Sequence, residues 1–180
     1  MTEKEILSLN VFTYGIGGWK YPSNWFRNIK QFFRNIKYAW QRATRGFCDQ
    51  DWWNLDLYYT TLFIKSLRHL ATHNMGHPYD MDEDEWNTWL WETADEFYKS
   101  LEETNSFENP YAEEAEALFD KWTWDPTDDG MYRLNQHYTD DENELNNAYL
   151  EVERLNAQKR LWCAQRGLQR LSDRWTNLWD

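Results

Sequence analysis

Thr139-Asp-Asp-Glu142 opens the longest regular pattern in the chain. A threonine followed three residues later by a glutamate is a capping box, in which each side chain satisfies a backbone N–H that the first helical turn leaves free. After it Leu145, Tyr149, Val152, Leu155, Trp162, Leu168, Leu171, Trp175 and Leu178 keep helical spacing almost to the end. The pattern predicts a helix of roughly forty residues as the spine of the fold, with Gly167 as the place where it bends.

Four further helices are predicted beside it. Asn24 leads into apolar residues at 25/26, 29, 32/33, 36, 39/40 and 43, a stripe in steps of three and four that stops at Gly46, a natural C-cap. Asp51 caps a second helix to about His73, with Trp52, Leu55, Tyr59, Leu62, Phe63, Leu67 and Leu70 facing inward. The stretch Asn74-Met-Gly-His-Pro ends it. A third helix begins near Asp82, whose acidic first turn suits the positive end of the helix dipole, and carries Trp86, Trp89, Leu90, Phe97 and Leu101. Pro110 fits the first position of a fourth helix through Trp122, on which Ala112, Ala115, Leu118 and Phe119 form the apolar side. Asp125-Pro-Thr-Asp-Asp-Gly130 reads as a loop, and no run reads as a strand. The expectation is an all-α, single-domain bundle of about five helices over residues 1–180. Residues 1–21 form an extended, glycine-broken arm and 105–140 an insertion.

A chain of 180 residues is long enough for a core that needs no disulfide or metal. Two cysteines, Cys48 and Cys163, are too few for a secreted disulfide framework, and the start lacks the pattern of a signal peptide, so a reducing cytosol is expected. The most apolar stretch, Leu55 to Leu70, is broken by Asp56, Lys65, Arg68 and His69, which excludes a spanning helix and predicts no membrane partner. Thirteen tryptophans are more than one core of this size conceals, and exposed tryptophan marks binding surfaces.

Charge is segregated. Leu7 to Cys48 holds no acid and seven bases, Lys20, Arg27, Lys30, Arg34, Lys37, Arg42 and Arg45, whereas Asp80 to Asp129 holds eighteen acids against Lys99 and Lys121. The acidic half sets the net charge of −12. The helix over 24–45 therefore reads as core-facing with a solvated basic side, in preference to a phosphate-binding face.

No constellation commits the chain to chemistry, and no catalytic, cofactor or metal residue is assigned. His69 and His73, four apart with His77 and Asp80 following, match the spacing of metal-chelating histidines but lack the accompanying glutamate of a zinc-protease helix. Glu92, Asp95 and Glu96 with Glu113, Glu114 and Glu116 resemble the facing carboxylates with which all-α nucleotide pyrophosphatases hold magnesium. Neither cysteine has the setting of an activated nucleophile, and Gly15-Ile-Gly-Gly18 lacks the strand–turn–helix context of a phosphate loop. Around Gly46 the chain reads as a hinge, with Asp56 turning back to Arg42 or Arg45.

The run Phe33 to Asp56, with Arg45-Gly-Phe-Cys-Asp-Gln-Asp-Trp-Trp-Asn-Leu-Asp56 at its centre, the Gly76-His-Pro-Tyr turn before an acidic Glu-Trp helix, and the closing Gly167-Leu-Gln-Arg-Leu-Ser-Asp-Arg-Trp-Thr-Asn-Leu-Trp-Asp180 resemble an uncharacterised family of small proteins of tailed bacteriophages and prophages. The resemblance covers about 33–100 and 155–180 and transfers no catalytic residue. It implies a phage product in the bacterial cytoplasm or in the virion.

In that context an acidic, aromatic surface suits occupation of the basic groove of a host nucleic-acid-handling or defence protein. The residues expected to meet such a partner are Asp82, Glu83, Asp84, Glu85, Trp86, Trp89, Glu92, Glu96, Glu113, Glu114, Trp122 and Trp124. The alternatives are a virion or assembly protein that forms homo-oligomers by pairing its basic and acidic helices, and the metal-dependent nucleotide hydrolase. Direct nucleic-acid binding ranks below these at this net charge.

Overall fold

A computed structural model of the chain describes all residues except 1, 2, 13, 19, 74, 75, 128–130, 179 and 180. The fold is mostly helical: α1 (Glu3–Ile6), α2 (Trp25–Arg45), α3 (Leu55–His73), α4 (Glu83–Lys99), α5 (Ala112–Glu116) and α6 (Asp140–Asp173). Both predicted acidic helix starts are built by local hydrogen bonds. Thr139 and Glu142 exchange capping-box bonds, and at Asp82 the Glu85 backbone N–H donates to Oδ1 at 2.8 Å while the Asp82 N–H donates to Glu85 Oε2 at 3.0 Å.

The core lies where α3, α4 and α6 pack together. Leu7, Ile64, Leu67, Ala71, Trp86, Leu90, Ala94, Phe97, Leu101 and Leu171 form one buried cluster. Trp86 stacks on Trp89 with ring centroids 5.0 Å apart, and Phe97 meets Phe63 at 5.1 Å. Gly167 is buried on α6 against the Phe97 ring. Three α6-side arginines tie the same helices on their polar side. Arg166 bonds Glu96, Arg170 donates to Glu92 at 2.8 Å and to Thr93 Oγ1 at 2.9 Å, and Arg174 grips Asp80 at 2.7 and 2.8 Å. The four-residue spacing places Arg166 and Arg170 on one side of α6.

Four expectations are corrected. The second predicted helix starts as a 3-10 turn, Asp51–Asn54, and α3 buries Thr61, Ile64, Leu67 and Ala71, leaving Trp52, Tyr59 and Leu62 exposed. The fourth helix is only α5, continued as a 3-10 segment Ala117–Lys121 that buries Leu118. Trp122–Pro126 and Tyr132–Gln136 then pair as an antiparallel hairpin, β1 and β2, with Trp124 opposite Leu134, so the fold is not strictly all-α. The predicted loop keeps only Thr127 among the described residues outside these strands; 128–130 lie outside the described residues. Asp56 does not return to Arg42 or Arg45, because Asp51 pairs with Arg42 and Asp49 with Arg45.

At the N-terminal end, α1 and the buried Leu7 join the core, and no strand forms among the described residues of the arm. The 105–140 segment is anchored to α6 by Asn156, whose side chain accepts from the Phe107 N–H at 2.6 Å and donates to its carbonyl at 3.0 Å.

Substituting alanine for an exposed helical glycine ordinarily stabilises by about 1 kcal/mol. At Gly167 a Cβ would stand 3.0 Å from two Phe97 ring carbons, and that ring is held between α3 and α6. Gly167→Ala is therefore expected to lower stability by roughly 1–3 kcal/mol in urea unfolding, opposite in sign to the usual effect.

Candidate functional site

α2 has three faces, and the wrong one for a core helix points inward. At 100° per residue Trp25, Phe26, Ile29, Phe32, Phe33, Ile36 and Trp40 share one arc, Arg27, Lys30, Arg34 and Lys37 a second, and Asn28, Asn35, Tyr38 and Arg42 a third. Only the third is turned to the protein: the buried residues of α2 are Asn28, Asn35 and Tyr38. Asn35 Nδ2 donates to the carbonyls of Tyr14 at 2.8 Å and Phe12 at 3.1 Å, and Asn28 Nδ2 donates to that of Gly17 at 2.9 Å. These amides hold the glycine-broken arm against the helix.

The apolar arc is left outside. Phe26 is 80% exposed, Phe33 66% and Trp40 70%, and no α2 residue joins the core cluster. This overturns the expectation of a core-facing stripe, and its cause is local: the arm needs hydrogen-bond partners, which asparagines supply and phenylalanines do not. Among the described residues Arg27, Lys30 and Arg34 have no acidic partner, while Lys37 and Arg45 share Asp49. Trp52 and Trp53, which follow α2 in the chain, are exposed as well.

The end of α2 is pinned at Asp51. Arg42 Nε donates to Asp51 Oδ2 at 2.8 Å, the same oxygen receives the Cys48 N–H at 2.8 Å, and Arg42 also reaches the Leu9 carbonyl. Burial raises the Asp51 pKa, but the bonds from Arg42 and Cys48 outweigh it and leave the carboxyl below its ordinary value. Arg42 is raised in turn, chiefly by its bond to Asp51.

The twelve residues expected to meet a partner do not form one surface. Trp86 is fully buried and cannot anchor anything, Trp89 lies half-buried beneath Arg170, and Glu96 is buried against Arg166. Glu92 is bound to Arg170, and Asp82 and Glu85 spend polar groups on their own cap. Trp122 is half-buried and donates to the Tyr138 hydroxyl. Glu83, Asp84, Glu113, Glu114 and Trp124 face outward, Trp124 at 66% exposure.

A second exposed cluster appears between α4 and the hairpin. Glu108, Glu113, Glu114, Glu116 and Asp120 are exposed with no basic partner among the described residues, and Phe107, Tyr111, Phe119 and Trp124 of the same segment are exposed too, Phe107 with Lys159 Nζ 3.9 Å from its ring centroid.

The hydrolase constellation is not assembled, since Glu92 and Glu96 turn to arginines on α6 while Glu113, Glu114 and Glu116 stand exposed on α5. The His69 and His73 rings stack at 4.2 Å, and His73 Nδ1 lies 3.0 Å from the His69 carbonyl. Among the described residues no group of three or more His, Cys, Asp or Glu is placed to hold a metal ion. None of their helices is long and apolar enough to cross a membrane.

The accessible surface is 13151 Å², against about 9,300 Å² for a folded monomer of 22.1 kDa.

Sequence reasoning missed the apolar arc of α2 as a surface. Its letters are those of a core helix, and the available signal was the pair Asn28 and Asn35, seven apart on an adjoining arc beside a glycine-broken arm.

A carboxyl whose folded pKa is lowered contributes stability above its unfolded pKa and loses it as pH falls through the folded value. Asp51 should therefore hold α2 at neutral pH and release it in acid, below about pH 4. Asp51→Ala, which strands a partly buried guanidinium and the Cys48 N–H, is expected to cost roughly 2–4 kcal/mol at pH 7 by urea titration, the cost shrinking as pH falls below about 4. Comparison of the chain with protein-family models, curated proteins and solved structures finds no match.

Proposed function

We propose that this chain works by binding rather than by catalysis, as an assembling protein whose folded monomer is incomplete until another protein covers it. The observation that carries this reading is the apolar arc of α2, turned to solvent on a molecule with roughly 3,800 Å² of surface beyond a monomer of its mass. A standard interface takes about 800 Å² from each partner, and contiguous exposed apolar patches mark interaction sites. The resemblance to phage proteins adds a setting in which multi-copy assembly is ordinary, in the virion or on the way to it within the bacterial host.

A second reading keeps a specific observation of its own. The unpartnered carboxylates of 108–120, with Trp124 beside them, suit a protein that occupies the basic groove of a host nucleic-acid-handling or defence protein. It stands second because Glu92 and Glu96 on α4 and Asp80 before it neutralise arginines of the same chain, which removes them from any mimicry of phosphates.

Light scattering on the size-exclusion peak discriminates the two. Assembly is expected to give a multiple of 22.1 kDa without any host component. A 22.1 kDa monomer that captures one DNA-binding host protein, with affinity falling as salt rises, would reverse the order.

A further inference from the structure

We infer that the occupant of the α2 apolar face is a second copy of this chain, seated through its acidic, aromatic segment 107–124. This rests on the assembly reading above and names its partner and site.

Charge selects the surface. α2 presents Phe26, Phe33 and Trp40 beside Arg27, Lys30 and Arg34, which have no acidic partner among the described residues. A matching surface has to combine exposed aromatic rings with unpaired carboxylates. Residues 107–124 do so: Phe119 and Trp124 are exposed in the same segment as the exposed Glu113, Glu114 and Glu116, while Phe107 already has Lys159 Nζ 3.9 Å from its ring centroid. Opposite charges bordering an aromatic contact fix its register and reject like-charged alternatives.

The same reasoning disfavours antiparallel packing of α2 on α2. On α2 the bases flank only one edge of the apolar arc, because Asn28, Asn35 and Tyr38 on the other edge are covered by the protein itself. A two-fold axis that lays two such helices antiparallel brings basic edge against basic edge, with no acid between Leu7 and Cys48 to separate them. Pairing α2 with 107–124 avoids this, and in a two-fold dimer it occurs twice, each copy giving one patch and receiving the other.

A lipid surface also attracts a basic amphipathic helix. It accounts for α2 alone and leaves the acidic aromatic segment uncovered, and a chain of net charge −12 is repelled by anionic headgroups.

Two charge-reversed full-length variants test the pairing: Lys30→Glu with Arg34→Glu, and Glu113→Lys with Glu114→Lys. All four side chains are exposed, and unchanged circular dichroism and melting confirm that each variant folds. In sedimentation velocity each variant alone is expected to shift from dimer to the 22.1 kDa monomer. Mixing the two is expected to restore the dimer, because both reciprocal contacts are then between opposite charges. An oligomer that ignores both reversals would overturn the pairing and leave the assembly reading standing. A wild-type chain that is monomeric at every concentration would overturn both. Co-sedimentation of wild-type monomer with phosphatidylglycerol vesicles, lost on Lys30→Glu with Arg34→Glu, would assign the α2 face to lipid and overturn the inference.

Discussion

α2 is held to the rest of the molecule by amide and guanidinium groups instead of by its rings. The arm over residues 8–18 is interrupted by glycines and forms no strand among its described residues, so its carbonyls at Phe12, Tyr14 and Gly17 take donors from elsewhere. Asn28 and Asn35 provide them, and Arg42 closes the far end on Asp51 and Leu9. A helix presents each residue in a fixed direction, so once these three groups point inward the phenylalanines and tryptophans of the neighbouring arc must point out. The exposed aromatic surface follows from the hydrogen-bond needs of a short, irregular segment.

The acids divide by a similar logic. Those on and just before α4 that face α6 are spent inside the chain on Arg166, Arg170 and Arg174, and those at its first turn serve the helix start. Among the described residues Glu108, Glu113, Glu114, Glu116 and Asp120 have no such partners, and they share the 107–124 segment with exposed rings. The molecule thus carries an unpaired basic aromatic surface and an unpaired acidic aromatic one. Each is poorly solvated alone, and each supplies what the other lacks.

Local chemistry was legible in the sequence. Thr139 with Glu142, the acidic turn after Asp82 and the glycine at 46, which adopts φ +83°, all mark helix ends through hydrogen bonds and backbone angles that neighbouring residues decide among themselves. Rotational phase was not legible. α3 contains enough apolar letters to support more than one inward face, and the one chosen buries Thr61, Ile64, Leu67 and Ala71 while exposing Tyr59 and Leu62. The hairpin escaped notice for a related reason. Each strand has only five residues, and its signal lies in the cross-strand pairs, among them Trp124 with Leu134, which no single run displays. Of the candidate surface, the charges were visible and the rings were misplaced: Trp86 belongs to the core, whereas Phe26, Phe33 and Trp40 do not.

The most direct measurement is hydroxyl-radical footprinting of Phe26, Phe33 and Trp40 across a dilution series, read by mass spectrometry. If association covers α2, these three side chains are expected to be protected in concentrated protein and to become reactive together on dilution, while Trp86 stays unreactive throughout. Equal reactivity at every concentration would contradict the account, since the face would then be stable in water with nothing on it.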